Sequence, residues 1–166
     1  MHQWTNQDIA IHEAAHYVAS YRLNPSRVRD VISIDLKKGS LGRVIEESFN
    51  EDYDNAESEI IILLAGYSAN IEFSKISKND AKLGATDDFR KADYLLSLIE
   101  SSIEVLIDRA IDIVRQNEDA ISLLSKELVD SKELASDEAD LIILVADGDP
   151  HASDALQSLR YIKRRH

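Results

Sequence analysis

Cysteine is absent from this chain. That removes disulfides, thiolate nucleophiles and cysteine-based zinc ribbons together, and it accords with a reducing compartment. Cations are scarce beside acids: 19 Lys and Arg against 31 Asp and Glu leave a net charge of −12. Such a surface repels nucleic acid and anionic membrane, so neither is expected as a partner. The local exception, RYIKRR (Arg160 to Arg165), reads as a solvated helix end with cations at its negative pole. Long apolar runs are missing as well. The most apolar one, IIILLA (60–65), is far short of the roughly 20 residues that cross a bilayer. The start, MHQWTNQD, lacks the basic segment and apolar run of a signal peptide. No repeat, low-complexity linker or internal boundary stands out, and the expectation is one cytoplasmic domain over residues 1–166.

What is present is enough apolar material, 44% of 166 residues, for a real core. Thr5 with Asp8 three positions on predicts a capped helix from about Gln7 to Arg22, ending before Asn24-Pro25. Val28 to Leu36 alternates at Ile32, Ile34 and Leu36 as a half-buried strand does. KKGS supplies a turn, and Leu41 to Ser48 can return as the second arm of a hairpin. An acidic loop then leads into a helix from about Asp54 to Phe73, apolar almost all round and so expected at the centre. Ser74 to Ala85 reads as a loop and Asp87 to Asn117 as one long helical region. Helices are expected near Glu118 to Val129 and Ser136 to Ala146. A terminal helix or tail over 148–166 is expected, with Asp149 as its N-cap and Pro150 as its first helical position. The fold class is mainly α with a small β-hairpin.

Residues 12–16, HEAAH, fit H-E-x-x-H. Positions four apart on a helix share a face, so His12 and His16 can ligate one ion. Neutral imidazoles suit Zn2+, and two of them with a carboxylate leave a fourth position open. Glu13 is rotated by about 100° from His12, beside the ion rather than on it, where it can take a proton from water. The small side chains of Ala14 and Ala15 let another element approach closely. The bland alternative is an amphipathic helix with two ordinary polar histidines. His2, His151 and His166 lie near the ends of the chain with no motif around them, so the third ligand is expected among the many carboxylates; spacing does not choose among them.

IAIHEAAHYVAS resembles the opening protease-domain helix of FtsH-type ATP-dependent zinc metalloproteases. Further blocks follow in order: VRDVISIDLKKGSLGRV is similar to that family's strand, glycine turn and return strand, and IILLAGYSANIEF to its central helix. LGATDDFRKADYLL is similar to the segment carrying its metal-ligating aspartate, and residues 106–144 to its closing helices. The resemblance spans 8–147. It implies a single zincin-like peptidase domain, a zinc metalloendopeptidase in which His12, His16 and Asp88 bind zinc and Glu13 is the general base. By the same resemblance, Leu41, Gly42, Arg43 and Val44 form the strand edge along which a substrate chain pairs.

The chain also departs from the pattern. Ala15 replaces the usual glycine, and Asn70-Ile71 replaces an acidic pair, removing the carboxylate expected to orient a ligating histidine. The family's segment between the Asp88 helix and the closing helices is largely missing, and the expectation is a stand-alone domain that works without an ATPase module of its own. The implied activity is therefore hydrolysis of flexible or unfolded polypeptide, leaving room for a homo-oligomer or a separate ATPase partner. The alternatives are a catalytically inactive zinc-binding interaction module derived from such a peptidase, and a metal-free helical adaptor.

Overall fold

A computed structural model describes residues 2–25, 29–34, 43–46 and 55–165. The first helix, α1 (Asn6–Leu23), begins where the sequence asks: the Thr5 hydroxyl accepts from the Asp8 N–H, and the Asp8 carboxylate accepts in return from the Thr5 N–H. Two short strands follow, β1 (Arg29–Ser33) and β2 (Arg43–Glu46), antiparallel to each other. Residues 35–42, which contain the turn expected between them, lie outside the described residues.

The next helix, α2 (Ala56–Glu72), is central, as its all-round apolar character predicts. One side of it gives Ile62, Ala65 and Ala69 to a core shared with α1 and β1. The other side gives Ile60, Leu64 and Tyr67 to a second core.

That second core departs from the expected layout. Residues 74–85 are not all loop: Ser77 caps a short helix, α3 (Lys78–Gly84), by accepting from the Asp80 N–H. Nor is 87–117 one long helix. It divides into α4 (Thr86–Leu96) and α5 (Ile103–Gln116). The last turn of α4 tightens to three-residue hydrogen bonds, from Leu98 N–H to Leu95 and from Ile99 N–H to Leu96, and Ser102 then caps α5. Serine side chains compete with the helical backbone, and the break lets both segments lie against α2. Phe89, Ala92 and Leu95 of α4 and Leu106 and Ala110 of α5 face into this core, while Val114 of α5 reaches the first one.

The closing helices α6 (Glu118–Ser131) and α7 (Ser136–Ala146) agree with expectation. The break between them is a third strand, β3 (Glu133–Ala135), which pairs antiparallel with β1 and gives the order β2-β1-β3. Ile32 stands opposite Val44 on one side and Leu134 on the other. A three-residue strand carries too little periodicity to be read from sequence.

The last helix, α8 (Ala152–Lys163), starts slightly later than expected. Asp149 still serves its N-terminus, accepting from the N–H groups of His151 and Ala152. The basic segment is more than a solvated end, because Arg160 bonds Glu127 and Glu138 and Lys163 bonds Asp137, tying α8 to α6 and α7. No helix among the described residues is long and apolar enough to cross a membrane.

Candidate metal centre

The site is built where α1 lies along α2 in the opposite sense. Positions 8, 12 and 16 of α1 are spaced four apart and share one face; so are 62, 66 and 70 of α2. The two ladders meet in register. The Asn70 Nδ2–H donates to the Asp8 carbonyl at 2.8 Å, and the His12 Nδ1–H donates to Asn70 Oδ1 at 2.9 Å. The His16 Nδ1–H donates to the Ile62 carbonyl at 2.8 Å. Between these contacts the His12 ring lies over Gly66, where an added Cβ would sit 2.6 Å from ring atoms. Only glycine admits the imidazole at that distance. This explains a residue that otherwise weakens a helix interior by roughly 0.5–1 kcal/mol.

The third member comes from α4. Asp87 and Asp88 both occupy its first turn, but they do different things. Asp87 is exposed beside Arg90, whereas the Asp88 side chain is only 20% exposed and turns toward α1. The inward face of α4 fixes this direction, since Phe89 stacks edge-on against Tyr67 of α2 with ring centroids 5.0 Å apart. Asp88 Oδ2 lies 3.3 Å from His12 Nε2 and 3.5 Å from His16 Nε2, and the two Nε2 atoms are 3.0 Å apart. Among the described residues this is the one group of three such ligands whose atoms all lie within 4.8 Å of one another.

Both the spacing and the tautomers of this triangle suit a metal ion. Ligand atoms at 2.0–2.1 Å from a tetrahedral centre are about 3.3 Å from one another, and the three distances bracket that value. Each Nδ1 faces an oxygen that can only accept, so each carries its ring's proton and leaves an Nε2 lone pair pointing inward. Two imidazole lone pairs and a carboxylate oxygen in contact require a cation among them, either a proton or a metal ion.

The electrostatics describe the proton-bearing state. Burial would lower the His16 pKa, but the Asp88 carboxylate and its hydrogen bond outweigh this and raise it to about 9. Burial likewise works to raise the Asp88 carboxyl, while the charge of His16 and bonds from both rings hold it well below the usual carboxylate range. A group whose folded pKa is raised stabilises the fold fully below its unfolded pKa and loses that contribution as pH rises through the folded value. The metal-free protein should therefore lose stability between about pH 6.5 and 9 as His16 gives up its proton. Zinc-loaded protein should show a flatter profile there, because the ion replaces the proton. Thermal melts with and without chelator across that range provide the check, and parallel profiles would count against the shared site.

Glu13, next to His12 on α1, is only 5% exposed. Burial pushes its carboxyl up from the ordinary value, and the charges of His12 and His16 pull against that rise. The expected strand edge is described only in part: Leu41 and Gly42 lie outside the described residues. Arg43 and Val44 open β2, which pairs with β1 and has no strand on its other side among the described residues.

The loss of an acidic pair at Asn70-Ile71 does not leave His12 without an orienting group, since the Asn70 amide oxygen takes that place. Glu72, turned away, pairs with Arg115. Sequence reasoning passed over the Ile62 carbonyl and Gly66. The first leaves no trace in side-chain identity; for the second, a lone glycine inside a buried apolar helix was the available signal. No protein-family model matches the chain, and no curated protein is significantly similar to it.

Proposed function

We propose that the protein is a zinc metallopeptidase acting on flexible or unfolded polypeptide, with His12, His16 and Asp88 as the metal ligands and Glu13 as the general base. The observation that carries this reading is the triangle of inward-facing donor atoms, 3.0–3.5 Å apart, with the buried Glu13 next to His12 in the chain and outside that converging group. A structural metal site has no use for a carboxylate in that position. The resemblance of residues 8–147 to FtsH-type protease domains supports the same assignment.

When bound, zinc supplies the Lewis acidity that polarises a peptide carbonyl and acidifies water. The protein's own residues do the rest. The two imidazoles would hold the ion as neutral donors and Asp88 would add one negative charge, so the ion with its three ligands would keep net positive charge. Glu13, made more basic by burial, accepts the proton of the attacking water and passes it to the leaving amine. The edge of β2 away from β1, unpaired among the described residues, would offer backbone groups at Arg43 and Val44 to an extended substrate.

The direct test is metal analysis and peptide cleavage on protein purified without a histidine tag. About one zinc per chain is expected. Asp88→Ala, which removes one of three ligands, should weaken zinc binding by roughly 100-fold or more. Zinc affinity unaltered in that variant would remove Asp88 from the site.

A further inference from the structure

Asn70 is fully buried, and its two ends meet partners of opposite kinds. The Asp8 carbonyl can only accept, so the amide nitrogen must face it; the amide oxygen is thereby turned to the His12 ring. We propose that Asn70 is a positioning residue for the metal, and that an amide, unlike a carboxylate, is the group this position requires. The inference rests on the metal-binding reading above and goes beyond it.

The argument is one of donors and acceptors. Asp8 and His12 stand one turn apart on α1, and Asn70 bonds to both, so a single side chain of α2 clamps that turn. The clamp holds the ring against flipping and keeps its proton on Nδ1, which leaves Nε2 bare toward Asp88 and His16. An ionised aspartate at the same place could accept from His12, but its second oxygen would meet the Asp8 carbonyl oxygen. Two buried acceptors in contact, with neither able to donate, repel; the Ser74 hydroxyl, 3.5 Å from the amide nitrogen, could donate to the new oxygen but would still leave the Asp8 carbonyl without its donor. The bond to His12 would be kept and the bond to Asp8 lost, so only half of the clamp would remain. Asparagine is thus the fitted residue here rather than the remnant of a carboxylate.

The experiment compares wild type, Asn70→Asp and Asn70→Ala for zinc affinity by chelator competition, for the visible absorption of the Co2+ form, and for the histidine ring N–H resonances of nitrogen-labelled protein. Both variants should bind zinc about 10–100-fold more weakly. Both should alter the Co2+ spectrum; Asn70→Ala should lose the slowly exchanging His12 Nδ1–H signal and Asn70→Asp should keep it, while that of His16, held by Ile62, persists in both. A merely structural role would lower the melting temperature without singling out His12. Asn70→Ala carries the test should Asn70→Asp fail to fold. Retention of the His12 signal in Asn70→Ala, with zinc affinity within threefold of wild type, overturns the proposal. If wild type binds no metal, the metallopeptidase reading fails separately. The His12 signal of the metal-free proteins then decides the clamp by itself, its loss in Asn70→Ala upholding it and its retention overturning it.

Discussion

Replacing Glu13 by glutamine is expected to leave zinc in place and to slow cleavage of an unstructured peptide by about 10²–10⁴-fold. Glutamine keeps the length and shape of the side chain but cannot accept the proton of the attacking water. Zinc content should hold because Glu13 is not one of the three atoms that converge, and the buried position tolerates a neutral group better than a charge. The measurement pairs metal content with the rate of cleavage of a fluorogenic peptide that needs no unfolding. Cleavage at the wild-type rate would dismiss Glu13 as the base. Wild-type protein that holds zinc and cuts nothing in a broad peptide library would favour a metal-binding interaction module instead.

Gly66→Ala is expected to have the second large effect, on the metal rather than on the fold. An added methyl would lie 2.6 Å from Cε1 and Nε2 of His12, far inside contact distance. The ring has little freedom to move aside, being held by Asn70 on one edge and facing Asp88 and His16 on the other. Two stability effects oppose each other. Alanine favours the helix by roughly 0.5–1 kcal/mol over glycine, and overpacking costs about 1–3 kcal/mol. The net loss is small enough for the chain to fold, so the displaced ring takes the damage. Zinc affinity should fall by roughly 100-fold or more, with helical content preserved by circular dichroism. Wild-type affinity in this variant would mean that the ring does not lie where the ligand set requires it.

These two variants sit on opposite sides of what could be read beforehand. Glu13 is legible because its role follows from helix geometry inside one five-residue stretch. Gly66 is not, because its reason lies on another helix 54 positions away in the chain, opposite His12. The same contrast holds for the fold. The capped start of α1, the apolar surround of α2 and the bounds of α7 are local matters of capping and periodicity, and they emerge as expected. The division of 87–117 into α4 and α5 was hidden. The apolar spacing continues across the break, while the local bonds that mark it, Ser97 to the Tyr94 carbonyl and Ser102 at the start of α5, leave no strong pattern in the sequence.

Sequence by itself determined that two imidazoles share one helical face with a glutamate beside them, since a turn of 3.6 residues leaves no other arrangement for HEAAH. Spacing left the third ligand open among 31 acidic residues and only the resemblance pointed to Asp88; tertiary structure brought its carboxylate to the two rings, and it alone decided that Asn70 and the Ile62 carbonyl fix them. The physical reason is range. Backbone geometry carries information over a turn or two, whereas a site assembled from three helices exists only after their apolar faces have packed and set one ladder of residues against another.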